Sequence, residues 1–119
     1  MSTNKGVKFD HNKEDCDLVL GDFSRALMAV SQVGTFGARK YTPKGWIDVP
    51  NAYERYSSAM LRHYLNSKVS KRDSDSTLIH DAHTAWNALA RLELRLRGLM
   101  PVESIPDYDE NLNDNSYTK

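Results

Sequence analysis

The chain has one cysteine, Cys16, only six glycines and four prolines, and no surplus of either charge. A single thiol excludes an intramolecular disulfide framework and a cysteine-rich zinc site, and fits a reducing, cytoplasmic setting. No apolar run approaches the ~20 residues of a membrane span. The polar opening Met1-Ser2-Thr3-Asn4-Lys5 carries no secretory hydrophobic stretch. Zero net charge, sixteen Lys+Arg against sixteen Asp+Glu, argues against a broad nucleic-acid or membrane surface. Apolar residues are sparse as well, 39% with mean hydropathy −0.64. The core of one 119-residue domain is therefore small, and a homo-oligomer contact or a ligand is expected to complete it. Nucleophile motifs around Ser, Thr or Cys and a Walker-type phosphate loop are absent too.

The zero is a sum of unequal parts. Residues 1–102 hold fifteen Lys+Arg and eleven Asp+Glu, a balance of +4. Residues 103–119 hold Glu103, Asp107, Asp109, Glu110 and Asp114 against Lys119, a balance of −4. The expected organisation is one domain over 1–102 and an acidic, flexible, solvated tail over 103–119.

Hydrophobic spacing predicts an all-α bundle of three main helices. Asp22 is the expected N-cap of the first, with Phe23, Ala26, Leu27, Val30 and Val33 at helical spacing and an end near Gly34. The run Leu18-Val19-Leu20 is too short to assign. Gly34, Gly37, Pro43, Gly45 and Pro50 predict a functional loop of roughly fifteen residues. Asn51 is placed to cap a second helix with the stripe Tyr53, Tyr56, Met60, Leu61, Tyr64 and Leu65. A polar turn covers 67–75. Ser76 or Thr77 is placed to cap a third helix with Ile79, Ala82, Trp86, Leu89 and Leu96 along one side. Gly98 is its expected C′ residue, with Pro101 beyond.

Two groups of residues carry chemistry. The segment Phe36-Gly37-Ala38-Arg39-Lys40-Tyr41-Thr42-Pro43-Lys44-Gly45-Trp46 joins glycines, cations and aromatics. Arg39 and Lys40 suit phosphate, Gly37 admits backbone N–H groups to an anion, and Tyr41 or Trp46 suits stacking on a base. The alternative is that the aromatics close the core and the cations face water. The second group is His80 and His83, neighbours on one helical face, with Asn87 one turn on. His63 reaches them if the second and third helices pack antiparallel. Three imidazoles suit a divalent transition metal, with Arg62 and Lys40 nearby for phosphate; equally, they can hydrogen-bond one another within a helix interface. Asp81 is a candidate carboxylate, although one residue from His80 it is turned by about 100°. Arg91, Arg95 and Arg97 read as a solvated face or the lining of an oligomer contact.

The order Gly6-Val7-Lys8-Phe9-Asp10, Lys13, Asp17-Leu18, Gly37-Ala38-Arg39-Lys40-Tyr41, Trp46, Leu61-Arg62-His63, and His80-Asp81-Ala82-His83 with Trp86-Asn87-Ala88-Leu89 resembles a known family. It is similar to the phage and prophage domain labelled as the N-terminal domain of dATP/dGTP diphosphohydrolases, from about residue 6 to 97. Asn12 stands where members usually have glycine, and Ser58 where they usually have an acid. The resemblance implies a phage-encoded, nucleotide-handling protein in the cytoplasm of an infected bacterial host. Its characteristic positions fall on Lys8, Asp10, Lys13, Lys40, Tyr41, Trp46, Arg62, His63, His80, His83 and Asn87.

Two functions follow as expectations. One is a metal-dependent hydrolase of a purine deoxynucleoside triphosphate. It would use His63, His80 and His83 as ligands of Mn, Co, Zn or Mg, Asp10 or Asp81 as the catalytic carboxylate, and Arg39, Lys40 and Arg62 on phosphate. The other is a non-catalytic sponge that sequesters a nucleotide second messenger of anti-phage defence and needs no metal. The second and third helices lack the paired Glu-x-x-Glu and Glu-x-x-Asp motifs of all-α nucleotide pyrophosphatases, which favours the sponge. A structural or regulatory accessory role is the third possibility.

Overall fold

The computed structural model describes residues 13–99. Lys8, Asp10 and the acidic tail lie outside the described residues. The elements are α1 (Cys16–Gly21), α2 (Ser24–Lys40), a short 3-10 helix (Gly45–Asp48), α3 (Ala52–Asn66) and α4 (His80–Leu96). No strand occurs among the described residues beyond a single antiparallel bridge, Arg72 to Ile79. The all-α expectation stands, and no helix described is long and apolar enough to cross a membrane.

The first helical region differs from its expected bounds at both ends. Leu18-Val19-Leu20 lies in a helix of its own, α1, because Asp15 caps it: its carboxylate accepts from the Leu18 amide at 3.1 Å. Asp22 therefore closes α1 rather than opening the next helix, and α2 starts at Ser24. At the far end α2 runs through Gly34 and Gly37 to Lys40, so half of the expected loop is helix. Two interior glycines cost a helix roughly 1 kcal/mol each, and packing offsets this at Gly34. A Cβ there would stand 3.1 Å from the Trp86 indole nitrogen, so glycine lets α2 sit down on α4. Gly37 is helical and offers no open backbone to an anion. Arg39 and Lys40 fall in the last turn, where the helix dipole favours cations.

α3 and α4 are the main packed pair, with α2 against α4 and the 3-10 helix touching α2 and α3. The fully apolar core is small: Val30, Val33, Ala82, Ala90 and Leu94. Beside it Trp46, Tyr56 and Trp86 form an aromatic seat, with Trp46 and Trp86 edge to face at 6.2 Å and Tyr56 and Trp86 at 5.3 Å. The Tyr56 hydroxyl donates to the Trp46 carbonyl at 2.5 Å, which pins the 3-10 helix onto α3.

Asn51 precedes α3 as expected, but in the left-handed region (φ 55°) and with no capping bond from its side chain. α4 begins at His80 with Ile79 as its N-cap, two or three residues beyond the expected Thr77 or Ser76. Residues 71–80 instead close a tight loop, with Asp73 N–H donating to Leu78 O, Thr77 N–H to Asp73 O and His80 N–H to Lys71 O. The end of α4 is as predicted: Gly98 has φ 72°, its N–H reaches Arg95 O at 3.0 Å, and the Leu99 N–H reaches Leu94 O at 2.8 Å.

Candidate functional site

The last turn of α3 and the first turn of α4 meet under the 71–79 loop, and the three helix histidines converge there. His63 Nδ1 and His80 Nδ1 are 2.9 Å apart, so one donates its N–H to the other. The His63 ring stacks on the His83 ring with centroids 4.3 Å apart and planes 10° apart. Stacking at that distance favours neutral rings, since two imidazolium ions would repel. Burial and the neighbouring His83 hold His63 down at about 4. Burial likewise lowers His83, against an opposing pull from Asp73.

The loop supplies two residues that sequence reasoning missed, Asp73 and Ser76. The Asp73 carboxylate accepts from the Ser76 amide at 2.8 Å and from its hydroxyl at 2.9 Å. Burial pushes Asp73 up, but these Ser76 bonds and the nearby His83 leave it below its ordinary value. Ser76 Oγ also lies 2.7 Å from His83 Nε2 and accepts the Leu78 N–H at 3.1 Å. A hydroxyl has one hydrogen and two acceptor lone pairs. With its hydrogen given to Asp73, Ser76 must accept from His83, so His83 carries its proton on Nε2. His83 thus sits at the end of a chain running to Asp73 through Ser76. The direct His83–Asp73 separation, 3.9 Å, is too long for a hydrogen bond.

A metal would find one fitting set of donors among the described residues. His63, Asp73 and His80 each offer a ligand atom, all within 4.8 Å of one another. Two nitrogens on a tetrahedral ion at ~2.0–2.1 Å stand about 3.3 Å apart, and the 2.9 Å pair needs to open by only a few tenths of an ångström. Two imidazoles and one carboxylate suit Zn, Mn or Co better than Mg, which prefers oxygen. His83 is not among these three; its Nε2 faces Ser76. Asp81 is not either. It is exposed, faces away as its position beside His80 dictates, and lines an open cleft of about 280 Å³ with Ser67, Lys68, Ser70, Lys71 and Ile79.

The other predicted residues are spread more widely. Asn87 is buried one turn below His83, and its Nδ2 donates to the His83 carbonyl at 2.8 Å. Lys40 reaches the histidine loop in an exposed pair: its ammonium meets Asp75 at 2.5 Å, and that bond raises its pKa. It also lies over the rings of Phe36 and Tyr41, at 5.6 and 5.3 Å. Tyr41 is 72% exposed, with the Lys40 ammonium over one face of its ring. The half-buried Trp46 ring packs against Trp86 and Tyr56. Lys13, Arg39 and Arg62 are exposed.

A family model described as dATP/dGTP diphosphohydrolase, N-terminal, matches residues 3–101. The chain belongs to that family. No curated protein and no solved structure matches it. The match to the diphosphohydrolase N-terminal family spans all four helices, so the histidine cluster lies wholly within the family's domain.

Proposed function

We propose that this chain handles a purine deoxynucleoside triphosphate, or a close relative of one, and hydrolyses its phosphate chain with a divalent metal held by His63, His80 and Asp73. The observation that carries the reading is that cluster in a member of the diphosphohydrolase N-terminal family. When bound, such an ion supplies Lewis-acid polarisation of a phosphoryl oxygen. The chain's own residues do the rest. The depressed His63 stays neutral at physiological pH and able to ligate. His83 braces the His63 ring by stacking, and Ser76 holds both His83 and Asp73 in place. Lys40, Arg39 and Arg62, with Lys8 and Lys13, would attract phosphate, and Tyr41 would stack on the base. Asp10 remains a candidate for the catalytic carboxylate; Asp81 would act only from the neighbouring cleft.

A second reading has its own support. Only one carboxylate joins the cluster among the described residues, and the adjacent cleft is lined by two lysines and two serines together with Val69, Ile79 and Asp81. That suits a phage sponge which holds a nucleotide messenger unchanged and needs no metal. Either form would be a cytoplasmic homo-oligomer, with the exposed Leu89, Leu92 and Leu96 of α4 as one available apolar face.

One experiment tests both. The protein is incubated with dGTP, dATP and a panel of cyclic dinucleotides, with Mn, Co, Zn, Mg or EDTA, and the products are separated by chromatography. Turnover that stops with EDTA and in His80→Ala supports the hydrolase. A ligand bound tightly and recovered intact after denaturation supports the sponge. Absence of both sinks the nucleotide reading.

A further inference from the structure

The arginines of α4 lie at the surface but do not all point straight into water. Arg97 pairs with Glu93 in the ordinary way, Nε to carboxylate at 2.7 Å. Arg91 and Arg95 have no carboxylate within 4.0 Å among the described residues. Instead both turn onto α3. Arg91 Nε donates to Ser57 Oγ at 2.6 Å, and one of its terminal nitrogens donates to the Tyr53 hydroxyl at 2.9 Å. Arg95 donates to the same hydroxyl at 3.1 Å. Both guanidinium carbons lie over the Tyr53 ring, 4.8 and 5.7 Å from its centre.

Two like charges therefore converge on one phenolic oxygen, and among the described residues no carboxylate pairs with either of them. The donor count is uneven as well. The Ser57 hydroxyl spends its hydrogen on the Tyr53 carbonyl at 2.8 Å. The Tyr53 hydroxyl receives two N–H groups, while its own hydrogen meets no acceptor among the described residues. Among the described residues the Nε–H and the other terminal nitrogen of Arg95 meet no acceptor. The arrangement thus holds two cations, a free phenolic hydrogen and spare guanidinium hydrogens in one fixed place. Such a donor set is complementary to an oxyanion, and planar guanidinium forks suit phosphate.

We propose that Arg91, Arg95 and Tyr53 form a phosphate-binding site separate from the histidine cluster. Arg91 lies eight residues along α4 from His83, about 12 Å along the axis, so the two sites occupy opposite ends of one helix. The ligand is a phosphate group, either free or carried by a nucleotide. The site does not depend on the metal reading, and each can fail without the other.

The test uses the full chain labelled with ¹⁵N, following the arginine Nε–H signals, assigned by their loss in Arg91→Gln and Arg95→Gln. Pyrophosphate, dGTP and, as a control, sodium chloride at matched ionic strength are titrated in turn. Pyrophosphate or dGTP is expected to shift the Arg91 and Arg95 signals, and to do so equally in His80→Ala. Which of the two shifts them identifies the source of the phosphate. The exposed Arg95→Gln, which leaves the core untouched, should weaken binding about tenfold, and Arg95→Lys should restore it only in part. Three results would overturn the proposal: signals that stay still or move equally with chloride, undiminished binding in Arg95→Gln, or shifts that vanish in His80→Ala.

Discussion

Acid should loosen this protein at the histidine cluster. His63 is held at about 4 in the fold against an ordinary 6.5. A histidine with a lowered folded pKa binds its proton more readily when unfolded. Its contribution is complete above 6.5 and is lost as pH falls from there towards 4. Between about pH 7 and pH 5 a shift of that size amounts to about 2 kcal/mol. His63 is only part-buried, so solvent screening reduces this to about 1 kcal/mol. His83 is lowered as well and adds in the same direction. Asp73, also lowered, adds acid sensitivity only below its ordinary 3.8. The assay is urea unfolding with EDTA present, at steps from pH 7.5 to 4.5, for the native chain and for His63→Gln. The native chain should lose stability steadily across that range, with uptake of about one proton on unfolding, and the variant much less. A His63 titration by NMR with a midpoint at or above 6.5 in the folded protein would refute the reasoning.

Further outcomes follow from single contacts. Ser76→Ala should lower stability by about 1–3 kcal/mol, read by urea midpoint, because it strands the His83 proton and the Leu78 N–H and removes the hydroxyl bond to Asp73. Gly34→Leu should cost about 1–3 kcal/mol, read by thermal unfolding, since α2 cannot keep its approach to Trp86 with a side chain there. Zinc added above pH 7 should raise the melting temperature of the native chain but not of a His63→Ala/His80→Ala double variant, because an ion that binds only the folded form stabilises by mass action.

The all-α class and the end of α4 at Gly98 were legible in spacing alone, because each depends on helical periodicity or on one turn residue, whereas the approach of His63 to His80 and His83 also needed antiparallel packing of α3 on α4. The course of α2 was not. Gly34 and Gly37 carry loop propensities, and only the seat against Trp86 makes a glycine useful inside that helix. Asp73 and Ser76 were hidden for a related reason. The stretch Asp73-Ser74-Asp75-Ser76-Thr77 has the composition of a turn, and turn composition does not say what the turn covers. Trp46 and the paired arginines depended on contacts across α3 that no local pattern encodes.

The aromatic seat also makes the protein its own reporter. The chain has two tryptophans, and both stand where the 3-10 helix, α3, α4 and the glycine face of α2 come together. Their rings lie 6.2 Å apart and nearly perpendicular, at 82°. At that range the two indole transitions couple, which gives a near-ultraviolet circular dichroism signal that neither ring has alone. Undocking of α2 or the 3-10 helix would erase that signal while leaving the far-ultraviolet helix bands in place, so the closing of this small bundle can be timed without attaching a dye.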